Sequence, residues 1–472
     1  MKSWFDIYSK ILNSKLFKFE EKKGVIVGFN ANVDKIIEIN PKKILQIISP
    51  EIINQINLNR IPSSCVENQI DFFSSLFNSI KYGKADEFLT DSKRLSTWIE
   101  NVFEIKKIKI GGQAGIIANL YNKLGLKHVL LSLPILNKTL ISLLDPNILT
   151  ILKNRSSYSI NLISTINIFE EQPIFHYVFE FVRGTYLVGK HKIDCPRDNR
   201  FILSYDEINT QLKFNQGFID YCDEFLLDYS LAIISGFHLI NIKRDSSQSF
   251  YDVIRPVEIM LKKWKITNPS ICLHLEIAST KNIKLRQCIV ETLFPLVDSI
   301  GLNEQELMSF IEILNPELSN QLRNDLNSII VFKAINEIFQ RYSHLRIHFH
   351  YLGYFLIISR PIDIKKAQER KKGLILSSLY AAVKANGLDI TSAKDIRNIP
   401  LDISVDGYDE LKKLQTYLKS HFSIEKSLHT SGLLFAPSFC LVGVPTIVVT
   451  HPKELVGLGD LISSISILHE IQ

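Results

Sequence analysis

Short apolar runs that end in polar or glycine-bearing turns and then give way to helical spacing recur along the chain, at 24–28, 231–235, 271–275, 299–302 and 445–449. Runs this short suit strands buried on both faces. Strands separated by helices are joined by crossovers, so the pattern predicts an α/β chain with a doubly wound, mostly parallel sheet between helical layers. Two regions break it. Residues 41–105 are rich in Ile, Lys and Asn at helical spacing, and 157–205 alternate as antiparallel strands do, with Phe175, Tyr177, Phe179 and Phe181 on one side. The expected division is a large α/β domain from 1–40, 106–156 and 206–472, with a smaller α+β lid domain from 41–105 and 157–205.

Composition narrows the functional class. The chain has 472 residues, 46% of them hydrophobic and 22% charged, as expected of a globular protein with a large core. Its net charge of +6 is spread along the chain, which argues against a nucleic-acid arm. No stretch approaches the ~18 apolar residues of a membrane span, and residues 1–23 lack the apolar core of a signal peptide. The cysteines at 65, 195, 222, 272, 288 and 440 show no C-x-x-C pair. The expectation is a cytoplasmic monomer or small homo-oligomer with small-molecule substrates, no nucleic acid and no membrane.

Chemistry-bearing residues gather where the runs end. Gly457, Gly459 and Asp460 stand between the run 445–449 and a helical pattern from Ile462. Glycine amides at a helix start suit an anion, and an Asp there can take a proton from a hydroxyl that attacks phosphorus. A capped turn fits the same residues. Asn32 and Asp34 follow the run 24–28, at the place where open α/β sheets bind ligands. The turn 111–115 can hold a polyol against backbone amides at Gly112, with Gln113 adding a donor and an acceptor. Glu87 falls in a turn that exposes carboxylates, His176 lies on an alternating strand, and Arg197 and Arg200 share a turn whose forks suit phosphate. His274 and Glu276 share one face of a strand tip, and Asn303 and Glu306 lie three apart at a helix start. Such carboxylates suit a hydrated Mg²⁺ beside substrate phosphates.

Taken in order, these motifs resemble the ADP-dependent glucokinase/phosphofructokinase family, a branch of the ribokinase-like sugar kinases. The matching stretches are 28–34, 111–115, 196–201, the H-x-E of His274 to Glu276, the N-x-x-E of Asn303 to Glu306, and the G-x-G-D of Gly457 to Asp460. The resemblance implies a ribokinase-like fold and transfer of the β-phosphoryl group of ADP to the 6-hydroxyl of glucose, leaving AMP. By resemblance Asp460 is the catalytic base, Arg197 contacts the phosphates, and Glu276, Glu306 and Asp460 hold Mg²⁺, largely through water. Asn32, Asp34, Glu87, Gly112, Gln113 and His176 then fall at the sugar, and Asn303, His350, Gly457 and Gly459 at the nucleotide. Leu461 stands where the family usually carries a hydroxyl. Glu87 favours glucose, because a carboxylate repels a phosphate ester. Lys84, Arg183 and Lys190 keep a fructose 6-phosphate kinase or a bifunctional enzyme open, and a weakly catalytic nucleotide or sugar sensor is the alternative of another class.

Overall fold

The computed structural model describes residues 2–13, 23–41, 44–58, 65–153, 158–168, 173–189, 191–213, 215–242, 246–392, 394–454 and 456–471. Lys190 and Ser157 lie outside them. An eleven-stranded sheet forms the large lobe, in the order Leu433–Phe435, Cys440–Pro445, Tyr354–Ser359, Arg346–His350, Ser299–Leu302, Cys272–Glu276, Tyr229–Ile234, Gly24–Gly28, Val129–Leu131, Leu149–Lys153 and Tyr158–Leu162. From Arg346–His350 to Leu149–Lys153 every neighbouring pair is parallel, and the outer strands are antiparallel. This is the predicted doubly wound sheet.

Successive strand residues feed opposite cores. Ile26 belongs to the core that takes in helices Phe250–Thr267 and Ser328–Arg341, whereas Val25 and Val27 belong to the one that takes in Gln113–Lys123, Ile364–Ala385 and Leu458–Ile471. Strands buried on both sides are apolar throughout, which is why these runs lacked alternation.

The smaller lobe is a five-stranded sheet in the order Asp86–Leu89, Asn199–Asp206, Ile174–Phe181, Asn32–Glu38 and Lys107–Gly111. One face is sealed by Gln69–Tyr82 and Lys93–Val102 through an aromatic cluster that includes Phe72, Phe73, Trp98, Phe103, Phe179 and Phe201. The other face looks across at the large sheet. The sheets do not divide at the residues expected from sequence. Strands Asn32–Glu38 and Lys107–Gly111 belong to the small sheet, and Tyr158–Leu162 pairs as an edge of the large one. Polar and lysine-bearing strands of this kind give no apolar boundary signal, so partner choice is settled by tertiary pairing.

Candidate active site

The carboxyl ends of the parallel strands open on one edge, where ligands bind in doubly wound sheets. The inner face of the small sheet covers that edge and leaves a cleft of about 510 Å³. Its walls carry Asn30, Gln113, Glu276, Asn303, Glu306, His350 and Asp460 from the large lobe, and Asn32, Asp34, Glu87, His176 and Arg200 from the small sheet. Beyond Asp460 the lining turns apolar, through Ile116, Leu352, Phe355, Ala381, Ala385, Ile447 and Val449.

Asp460 sits in the first turn of Leu458–Ile471. Gly457 reaches the left-handed region at φ 67°, which glycine adopts without strain. A Cβ on Gly459 would stand 3.0 Å from His350 Nε2, so that glycine leaves the helix mouth open. Gln113 donates from Nε2 to Asp460 Oδ1 at 3.0 Å and to the Ile277 carbonyl at 3.3 Å, while its Oε1 accepts from the Gly236 amide at 3.1 Å. Both ends of this amide therefore serve the protein, and Gln113 orients Asp460 as well as lining the cleft. The strand before the motif ends at Pro445, and Thr446, Ile447 and Val449 line the cleft beyond it, with Ile447 making only an isolated bridge to Ile403, which corrects the expected strand at 445–449.

Leu461 is 2% exposed and packs in the core with Ile465 and Leu468 on one side of the helix. Its side chain points away from the helix mouth, so a missing hydroxyl at this position removes nothing from the cleft. The helix itself lies close to the sheet because Gly301 has no side chain: a Cβ there would fall 1.9 Å from Ser463 Oγ and 2.6 Å from Glu276 Oε2.

Three carboxylates face this end. Burial, then the charge of Asp460, pushes the Glu276 carboxyl well above its ordinary range. Burial, and less strongly Asp460 and Glu304, does the same to Glu306. Burial also raises Asp460, against the Gln113 hydrogen bond and the charges of Lys384, His238 and Arg200. His274 Nε2 lies 3.1 Å from Glu276 Oε2 and 3.0 Å from Ser463 Oγ, which fixes the carboxyl over the strand end. Asn303 Oδ1 accepts from the Gln305 and Glu306 amides, and Glu306 Oε2 accepts from the Asn303 amide at 2.8 Å. One oxygen of each thus caps the helix Glu304–Leu314, and only the remaining atoms are left for a ligand. Among the described residues no three His, Cys, Asp or Glu side chains form a group able to grip a metal directly. Glu276, Glu306 and Asp460 are therefore not a closed coordination shell. Crowded, buried and mutually repelling carboxylates do fit a cation held through its water shell.

The opposite wall is built from alternate residues of the small sheet. Register sets Asp34 beside His176, His176 beside Ser204, and Ile202 beside Glu87. Asn32 donates to Asp34 Oδ1 at 2.7 Å, and its own Oδ1 is buried with no hydrogen-bond partner among the described residues. Burial raises the Asp34 carboxyl to about 6, against the pull of His176 and Asn32. Burial alone would lower His176, but Asp206 at 3.2 Å, Glu87 and Asp34 outweigh it, and the imidazole gains a proton more readily than usual. Ser204 donates to Glu87 Oε1 at 2.7 Å, and His176 and His238 stand 3.7 and 3.8 Å from the same carboxylate. Gly112, at φ 73°, passes so close that a Cβ would lie 2.7 Å from both the Asn30 carbonyl and Asn32 Oδ1.

Arg200, and not the expected Arg197, lines the cleft. Arg197 is exposed, donates from Nε to the Gly83 carbonyl at 2.8 Å, and does not line the cleft. Arg200 does line it, with Nε buried and, among the described residues, without a hydrogen-bond partner, in the combined field of Glu87, Asp34 and Asp460. The strand begins at Asn199, so Arg200 and not Arg197 shares the face of Ile202 and Ser204. Lys84 and Arg183 are likewise exposed and off the cleft. His238, whose Nδ1 is buried and has no hydrogen-bond partner among the described residues, also lines the cleft and carries no motif in the sequence. Its only signal was its place just past the end of the strand Tyr229–Ile234.

A sequence profile described as the ADP-specific phosphofructokinase/glucokinase conserved region matches residues 23–469. The ADP-dependent glucose/glucosamine kinase of Pyrococcus furiosus is 28% identical, over 100% of this chain and 99% of its own. The ADP-specific phosphofructokinase of the same organism is also 28% identical, over 93% and 95%. A solved ADP-dependent kinase in complex with fructose 6-phosphate and ADPβS superposes with a TM-score of 0.82 at 26% identity, over 100% of this chain and 97% of that one. The chain belongs to the ADP-specific phosphofructokinase/glucokinase family and is an ADP-dependent sugar kinase.

Proposed function

We propose that the enzyme transfers the β-phosphoryl group of ADP to the 6-hydroxyl of glucose, giving glucose 6-phosphate and AMP. The observation that carries the choice of sugar is Glu87, a cleft carboxylate with one protein hydrogen bond and two imidazoles beyond bonding reach. Its free acceptor sites suit sugar hydroxyls, and its charge disfavours a phosphate ester nearby. Asn32, Asp34, Gly112 and His176 complete the sugar wall, and the apolar end of the cleft suits an adenine ring.

The chain's own groups then have these tasks. Asp460 accepts the proton of the attacking hydroxyl, held on line by Gln113. The bond from the β-phosphorus to its bridging oxygen breaks as the bond to the sugar oxygen forms, and AMP leaves. The amides at Gly457 and Gly459 and the Arg200 guanidinium balance the phosphoryl oxygens. His350, lowered by burial to about 4, is neutral beside them. Glu276 and Glu306 would hold a Mg²⁺ through water, which when bound supplies positive charge against the phosphates. The small lobe shields the reacting groups from water.

One panel tests the reading: ADP or ATP crossed with glucose, glucosamine or fructose 6-phosphate, with AMP and sugar phosphate measured. ADP with glucose should give the highest kcat/KM. A preference for fructose 6-phosphate overturns the choice of sugar, and no AMP with any of the three sugars overturns the kinase.

A further inference from the structure

The helix Ile364–Ala385 carries Lys384 to the underside of the G-x-G-D turn. A Cβ placed on Gly457 would lie 2.9 Å from Lys384 Nζ, 3.1 Å from Ile116 Cδ1 and 3.5 Å from Asp460 Oδ2. Ammonium and carboxylate thus flank a single point at the mouth of Leu458–Ile471. Among the described residues Lys384 nonetheless makes no hydrogen bond and no ion pair, although it is no more than partly exposed. Desolvated ammonium groups are ordinarily paired. The carboxylate that would compete for it, Glu454, is taken by Lys109 of the small sheet at 3.0 Å. Charges run in alternation from one lobe to the other: Lys109, Glu454, Lys384, Asp460. Burial lowers the Lys384 ammonium, while Glu454, Asp460 and Asp34 support its charge.

We propose that Lys384 is a phosphoryl-binding residue whose partner arrives with the substrate, and that the Lys109–Glu454 ion pair keeps it free for that partner. Resting on the kinase reading above, it assigns Lys384 Nζ to an oxygen of the transferring group, on the side of Gly457. Lys384 donates hydrogen bonds and moves no proton. The hydroxyl proton still goes to Asp460 and the electron pair of the broken bond to AMP. The small lobe therefore acts on the transfer step through charge as well as through coverage: removing Lys109 releases Glu454 to capture Lys384.

The experiment is steady-state AMP production by the full chain with ADP, glucose and Mg²⁺. Lys384→Met should lower kcat by about 10- to 100-fold, the loss expected for one charge-assisted hydrogen bond, with the glucose KM within about threefold of the parent. Lys384→Arg should recover most of kcat. Lys109→Met should lower kcat by a smaller factor, and adding Glu454→Gln to it should restore turnover. Lys384→Met at parental kcat overturns the proposal. So does an equal loss in Lys384→Met and Lys384→Arg accompanied by a fall in melting temperature, since that marks a packing role. A parent that makes no AMP overturns the kinase reading and the proposal with it, which is a distinct outcome from an active parent indifferent to Lys384.

Discussion

The two walls of the cleft are made in different ways. The large lobe offers strand ends, a helix mouth and glycine amides, so its groups are placed by backbone that cannot move without unpacking the sheet. The small lobe offers side chains from the middle of strands, where register alone decides which residue faces the ligand. Backbone-built sites are rigid and suited to the reacting phosphorus. Side-chain walls can be retuned one residue at a time and suit the choice of sugar.

Substitutions should separate the walls in order of effect. On the large-lobe side, Asp460→Asn should cut kcat by about 10²- to 10⁴-fold with little change in glucose KM, as loss of a general base does; near-parental turnover would reduce Asp460 to a helix cap. Arg200 stands on the small sheet but is assigned to the phosphoryl oxygens, so Arg200→Met should cross the division and cost on the order of 10²-fold in kcat, the size of a lost oxyanion contact, whereas Arg197→Met should stay within about twofold. The reverse result would restore Arg197 to the phosphates and move Arg200 to the frame. Glu87→Ala should raise glucose KM by about 10- to 100-fold and leave the ADP KM nearly alone. Equal changes in both would erase the division between walls.

Acidity sharpens the contrast further. Asp34 titrates near 6 in the folded chain against an ordinary 3.8, so the folded state holds the proton more tightly than the unfolded one. Its contribution to stability is complete below about pH 4 and is lost as pH rises towards 6. Asp34→Asn should flatten that stretch of a melting-temperature profile. If the ionised carboxylate accepts from the sugar, parental kcat/KM for glucose should fall as pH drops below about 6. The smallest effect is expected at the interlobe pair Lys281–Asp86, spaced at 2.8 Å with the lysine half exposed. Lys281→Met should change stability by no more than about 1 kcal/mol and weaken with salt.

How much was legible in the sequence follows the same division. The large-lobe wall could be read because strand, turn and helix leave composition marks: Gly457 and Gly459 before an apolar helix, Glu276 at the end of an apolar run, Gly112 before Gln113. The small-lobe wall was partly hidden. Polar residues at every second position of a strand look the same whether they face solvent or a ligand, and a one-residue error in the start of a strand exchanges its faces. Arg197 is the arginine that the family resemblance points to, and nothing in the composition of 196–201 shows that a strand beginning at Asn199 turns Arg200 to the cleft instead. The lobe boundaries failed for a related reason, since Asn32–Glu38 leaves the large sheet after only a short turn and nothing in its composition says so.

That short turn has a consequence for how the enzyme must work. Residues 29–31 link Gly24–Gly28 of one sheet to Asn32–Glu38 of the other, and Gly112 alone separates Lys107–Gly111 from the helix Gln113–Lys123. The backbone joints on which the lobes would turn thus carry residues that line the cleft, Asn30 and Gly112 among them. On the function proposed above, a sugar bound in the cleft would touch this joint directly, and its fit would be felt as an angle between the lobes. Acceptor choice and closure would then be one trait: a substitution at Asn32 or Gly112 that admits a new sugar should also change when the cleft shuts.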